Sequence, residues 1–327
     1  MNSTAGVREG IYRSSLVRRV SRWLDAIPHP LLACEIAPAY VAAAKWTRAG
    51  AGLDGFAVEP LPAGSIVPSA VEGNLANAAA VRAAVGRVCA RLRAKGQEMA
   101  LLIPDTVVRI FVLHFDSFPR APQEAIPMLR WKLKKSVPFE AEETLISYMR
   151  QAPKEEGVDI VTGLARLRIV REYELLAEAA GMSPGVVMSS TLAALPLLDD
   201  HRPTMLVRIS GSTLTTAIIR EGILCGYRCT ELPTDVLRLS PQALLDEIYP
   251  VAAYYQDSWS EGIQSMRLAG LAERMEEFRQ PLEQELRCPV GSLLHSAEVE
   301  GRLSSDARPL ADRQLDALIG WSMSRGA

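Results

Sequence analysis

Long apolar runs are missing from this chain. No stretch reaches the roughly 18 uncharged residues that a helix needs to cross a bilayer. The start has arginines but no compact apolar core followed by small residues, so no signal peptide is expected. A surplus of charge of one sign is missing too. The 36 Lys and Arg against 38 Asp and Glu leave a formal net charge of −2, which gives no electrostatic case for nucleic acid. Histidine is scarce: His29, His114, His201 and His295 stand apart, and none is spaced with another as a metal pair. The five cysteines, Cys34, Cys89, Cys225, Cys229 and Cys288, are odd in number and dispersed, which favours free thiols in a reducing compartment. Cys225 and Cys229 form a C-x3-C without a second pair, so no metal site is expected there. Ser189-Ser190 and Ser304-Ser305 lack a nearby base or a nucleophile elbow. Glu142-Glu143 and Asp199-Asp200 read as solvated faces. No catalytic constellation emerges.

What is present is a 327-residue chain with 48% apolar residues, enough for a large core and two lobes. Its most distinctive stretch is Arg130-Trp131-Lys132-Leu133-Lys134-Lys135-Ser136-Val137-Pro138-Phe139-Glu140. Ile126, Leu129, Leu133 and Val137 recur at steps of three and four, predicting a helix over 122–136 with one apolar face. Arg130, Lys132, Lys134 and Lys135 cover the remainder. Val137-Pro138-Phe139 should end the helix, because the residue before proline is pushed out of the α region. Residues 14–24 form a second basic amphipathic segment, expected to dock on the protein or fray, the alternative being that it lies on an anionic membrane surface.

From Pro30 the pattern is β: strands from Leu31, from Tyr40 and from Phe56, then an alanine-rich helix over 76–95 and a buried strand over 99–103. Residues 107–187 read as a separate α+β unit, with strands at 107–115, 144–150, 158–165 and 185–188 and a second helix at 169–180. Near Thr204 the meander recurs: strand, small-residue turn, strand, a Glu221-Gly222 hairpin and a third strand. Aligning the two copies sets Glu35 opposite Arg208 and Ala37 opposite Ser210. Such a duplication is the plan of the actin and hexokinase class. Helices over 242–259 and 270–287 and a closing helix near 315–325 complete the chain.

The basic helix, the Val-Pro-Phe stop, the acidic run after it and the order of the other segments over residues 30–325 resemble the pilus-assembly protein family PilM, which has an actin-like fold close to FtsA. The resemblance implies an α/β, actin-like two-lobed fold with an α+β insert, duplicated β-meander domains and a reduced helical subdomain in the second lobe. The expected layout is a basic extension at 1–28 and a first lobe at 29–104 and 189–202. The insert spans 105–188, the second lobe 203–310, and a C-terminal helix at 311–327 returns to the first lobe. In the family each meander turn carries an acid, then Ile, then Gly, then small hydroxyl residues, which hold nucleotide phosphate and magnesium. Here the vestigial positions are Glu35, Ala37, Arg208, Ser210, Gly211, Ser212, Thr213 and Gly270. Proline at 38 removes an amide donor where phosphate needs one. The acid of the second copy is Arg208, one glycine is left at Gly270, and only about a dozen residues separate the second meander from the Gln242 helix.

These departures imply a protein that is not an enzyme and holds no cofactor, ATP with magnesium being the alternative. By resemblance it is a cytoplasmic adaptor, peripheral on the inner membrane, that grips the cytoplasmic tail of a PilN-like membrane protein. Arg130, Lys134, Val137 and Phe139 are the candidate partner-binding residues. The competing expectations are an actin-like ATPase of pilus assembly and a GspL-like component of a type II secretion system.

Overall fold

Alternation along two strands sets the architecture. In β1 (Leu32–Ile36) Ala33 and Glu35 face one side, while Cys34 and Ile36 face the other. In β9 (Thr204–Ser210) Leu206 and Arg208 face one side, and Met205, Val207 and Ile209 the other. Each strand is therefore covered on both faces, and each nucleates a five-stranded sheet. The computed structural model describes residues 29–47, 52–137, 143–153, 157–198, 201–232, 234 and 236–324.

The first sheet has the order β3-β2-β1-β4-β8, with β2 Tyr40–Trp46, β3 Leu53–Pro60, β4 Glu98–Ile103 and β8 Ser183–Ser189. The second has the order β11-β10-β9-β12-β13, with β10 Thr213–Arg220, β11 Ile223–Glu231, β12 Ser265–Ala269 and β13 Val290–Ser292. In both, an antiparallel meander is extended by parallel strands. The register repeats as well: Glu35 faces Ala42 and Leu102, and Arg208 faces Thr215 and Ala269. The expected duplication is present residue for residue at this point.

The outer face of the first sheet is covered by α1 (Ala78–Arg91) and α3 (Leu167–Ala179), through Val81, Val85, Val88, Ile169, Tyr173 and Leu176. Asn77 caps α1 by accepting from the Ala80 amide. α5 (Pro241–Trp259) and α6 (Met275–Leu286) cover the second sheet in the same way. The inner faces of both sheets share a single apolar cluster. It runs from Ala33, Ala42 and Ala100 to Leu206, Ala217 and Ile219, through α4 (Ser190–Ala194) and the C-terminal helix. That part of the chain forms α7 (Ala297–Arg302), α8 (Arg308–Asp312) and α9 (Asp316–Met323). α9 lies against α4 so closely that a Cβ on Gly320 would stand 2.2 Å from the Ala193 carbonyl oxygen.

The third sheet, β5-β7-β6, is the insert: β5 Val108–Phe115, β6 Thr144–Pro153 and β7 Val158–Arg166, with α2 (Pro122–Leu133) on one face. Two expectations need correcting. The unit expected at 105–188 is too long, because β8 pairs in parallel with β4 and α3 packs on the first sheet; both belong to the first lobe. The apolar face of α2 is also shifted. Ala125, Leu129 and Leu133 are buried while Ile126 is only half-buried, and the helix stops at Leu133, with Lys134, Lys135 and Ser136 in a turn. The Pro138-Phe139 stop and the 14–24 segment lie outside the described residues. Between β11 and α5 the described residues hold one 3₁₀ turn, Val236–Arg238, in agreement with a reduced second-lobe subdomain.

Candidate functional site

The cleft where the two meander turns meet is closed by one guanidinium. Alternation places Arg208 on the inner face of the second sheet. There its Nε donates to Asp316 Oδ2 at 2.8 Å, and its Nη2 donates to Asp316 Oδ1 at 3.1 Å and to Glu35 Oε1 at 2.9 Å. Its Nη1 stands 3.6 Å from Asp105 Oδ2. Arg208 is 5% exposed, Glu35 1%, Asp105 4% and Asp316 4%, so these charges are enclosed by protein. Glu35 and Arg208, equivalent positions in the alignment of the two copies, meet directly. Sequence reasoning missed the two aspartates. Asp105 begins a 3₁₀ turn after β4, and Asp316 is the first residue of α9, where backbone amides and the helix dipole favour a carboxylate. A carboxylate at the N-terminus of an otherwise apolar closing helix was the available signal.

Hydrogen bonds tie the rest of the cluster together. Asp105 accepts from the Thr191 amide at 2.9 Å and its hydroxyl at 2.5 Å, from Thr215 Oγ1 at 3.0 Å and from the Tyr227 hydroxyl at 3.3 Å. Tyr40 donates to Glu35 Oε2 at 3.2 Å. Glu35, Asp105, Asp316, Tyr40 and Thr191 come from the first lobe or its returning helix, and Arg208, Thr215 and Tyr227 from the second. Burial pushes the Glu35 carboxyl up to about 7, against the pull of Arg208 and with the push of Asp316. Burial alone would lower the Arg208 pKa, but Asp316, Glu35 and Asp105 raise it well above its usual value, so it stays charged.

The first meander turn is poorly suited to a phosphate. The Ala37 amide donates to the Tyr40 carbonyl at 2.9 Å inside its own turn, and Pro38 has no amide, so neither residue offers phosphate a donor. The recess beside it, lined by Ala37, Pro38, Asp105, Ser190, Arg208 and Thr213, encloses about 270 Å³ including space open to solvent. Three carboxylates, Glu35, Asp105 and Asp316, converge on one cation, Arg208. Among the described residues no His, Cys, Asp or Glu group is arranged to hold a metal. Gly270 has a backbone reason to be glycine. Its φ is +84°, and a Cβ there would lie 1.8 Å from the Ile209 carbonyl oxygen. Ser210, Gly211, Ser212 and Thr213 form the second turn, with Gly211 at φ +61°.

Of the candidate partner-binding residues, Arg130 is half-buried at the end of α2 with its Nε enclosed. Lys134 is exposed in the following turn, Val137 is half-buried, and Phe139 lies outside the described residues. The resemblance puts the partner's tail in a groove between first lobe and insert, and that junction carries exposed apolar residues that sequence reasoning did not single out. Leu145 at the start of β6, Leu167 at the start of α3 and Val67 are 41%, 51% and 57% exposed. Arg166 joins the parts, donating to Glu143 at 2.7 Å and to the Val71 carbonyl at 2.8 Å, and Arg168 also donates to Val71.

No family model and no curated protein matches this chain. Solved structures do. A chain of a PilM-PilN type IV pilus biogenesis complex is 17% identical, with 91% of this chain and 98% of that one covered and a TM-score of 0.69. The cytoplasmic domain of EpsL, an inner membrane component of the type II secretion system of Vibrio cholerae, is 14% identical over 81% and 98%, with a TM-score of 0.47. A Bacteroides thetaiotaomicron protein of unknown function with an actin-like ATPase fold is 12% identical over 88% and 97%, with a TM-score of 0.48. With its two sheets of repeated order, its insert and its returning helix, this chain has the actin-like fold in the form seen in the PilM-PilN structure.

Proposed function

We propose that this chain is a non-enzymatic adaptor of a type IV pilus inner-membrane platform, held at the cytoplasmic face by the tail of a PilN-like membrane protein. The observation that carries the non-enzymatic part is Arg208 seated among Glu35, Asp105 and Asp316 where metal and phosphate would otherwise lie. The arginine fork suits carboxylates, and it fastens the lobes without ligand. The likeness to a chain from a PilM-PilN complex supports the partner. The junction beside Leu145, Leu167 and Val67 offers exposed apolar side chains next to an edge strand, β6, which suits an extended peptide.

The test is titration of the folded protein against a fluorescent peptide of the partner's cytoplasmic tail. Binding below high micromolar, weakened at least tenfold by Leu167→Glu, is expected. A folded protein that ignores the peptide at high micromolar overturns the assignment. ATP with magnesium is the control: a bound nucleotide at a hundred times its Kd would add about 2.7 kcal/mol of stability, and no thermal shift is expected.

A further inference from the structure

We propose that the outward face of α2 is a docking surface for an anionic lipid bilayer, separate from the peptide junction. The helix buries Ala125, Leu129 and Leu133 under the insert, which turns Pro127, Met128 and Trp131 outward. Trp131 is 81% exposed and Met128 36%. Met128 and Trp131, three residues apart on the helix, form one small exposed apolar patch. Around the end of this face stand Lys132, Lys134 and Lys135, all exposed. Lys132 is engaged locally, with its Nζ 4.2 Å from the centre of the Phe115 ring and donating to the His114 carbonyl. Lys134 and Lys135 extend the positive end, and the acid on the face, Glu124, lies at the other end of the helix, in its first turn.

Two features favour lipid over a protein partner. A protein hot spot sits in a pocket or beneath a rim that excludes water, whereas Trp131 is 81% exposed. A lone indole beside lysines is the arrangement that settles at the headgroup level: the ring at the interface, the ammonium groups at phosphates. Each lysine near an anionic surface strengthens partition by about fivefold. The surface is small, so its affinity is weak by itself. It orients a protein that a membrane-anchored tail has already brought to the bilayer.

The experiment is sedimentation of the full chain with vesicles of phosphatidylglycerol and with vesicles of phosphatidylcholine, at low and high salt. Expected are binding to phosphatidylglycerol alone, loss at high salt, and about thirtyfold weaker binding for Lys134→Gln/Lys135→Gln. Trp131→Ser should abolish the blue shift of tryptophan emission on vesicle addition; Trp46 and Trp321 are already buried, and Trp259 is half-buried at the end of α5 in the second lobe, stacked on Tyr255. The basic segment at 14–24 could bring lipid affinity of its own, so Trp23→Ser is the parallel variant. Binding that survives Trp131→Ser and the double lysine variant but falls with Trp23→Ser overturns the proposal. So does a chain that ignores phosphatidylglycerol vesicles or binds them whatever their charge. Circular dichroism of each variant confirms that the exposed substitutions leave the fold intact.

Discussion

At the scale of single residues, the cluster around Arg208 sets the terms. Removing its guanidinium leaves buried carboxylates with no counter-charge, so Arg208→Ala should cost about 3–5 kcal/mol in urea denaturation. Arg208→Asp should cost more and still not restore nucleotide binding, since Pro38 and the occupied Ala37 amide remain. Glu35 makes a separate prediction. Its folded pKa lies near 7 against an ordinary value of 4.5, so the folded state holds a proton that the unfolded chain has released. This stability contribution is complete below about 4.5 and is lost as pH rises through about 7, an amount of at most about 3 kcal/mol. Glu35→Gln, which still accepts from Arg208, should flatten this fall. Urea midpoints of equal pH slope in wild type and variant would refute it. Gly270→Ala places a methyl on the Ile209 carbonyl at a left-handed φ and should prevent folding or cost several kcal/mol, read from expression and melting temperature. Glu35 and Arg208 were legible because the strand repeat aligns them. Asp105 and Asp316 were not, because a short turn and a returning helix carry them, and no local pattern tells where a distant helix will dock.

Among the elements, α2 shows the limits of periodicity. A face read from Ile126, Leu129, Leu133 and Val137 differs from the buried face by one residue at its start, where Ala125 takes the inner position. Alanine gives no apolar signal in a pattern count, yet it lets the helix approach the sheet beside Phe115 and Phe118. Leu129→Ala should therefore cost about 2–5 kcal/mol, while Ile126→Ala should cost less than half of that, by denaturant titration. The insert was legible as an α+β unit, but its end was not. β8 reads as one more short strand in sequence, and only pairing with β4 assigns it to the first lobe. The insert also reaches the second lobe by a device invisible in sequence. The Gln151 side chain donates to the Leu224 carbonyl and accepts from the Leu224 amide, both at 2.8 Å, so that its amide imitates a strand partner on the edge of β11. Gln151→Ala should expose that amide, and hydrogen exchange at Leu224 should speed up at least tenfold while the centre of β10 is unchanged.

For the whole molecule, the two lobes are not separate bodies resting on a ligand. They share one apolar interior through α4 and α9, and a buried ionic cluster fastens its rim. Scattering profiles with and without ATP and magnesium should superimpose, and a compaction on nucleotide addition would contradict a permanently closed form. The overall plan was legible because duplication is a property of the whole chain and tolerates local errors. The route of the last helix has a mechanical consequence. Trp321 in α9 donates to the carbonyl of Pro30, just ahead of β1, at 3.3 Å, so the described chain leaves the fold beside the place where it enters. Tension applied between those two points is borne first where Trp321 of α9 meets Pro30, and it reaches Arg208 only through Asp316 and Glu35. A load on the chain ends would peel the closing helix first, and only after Asp316 had moved with it would the clasp between the lobes feel the pull.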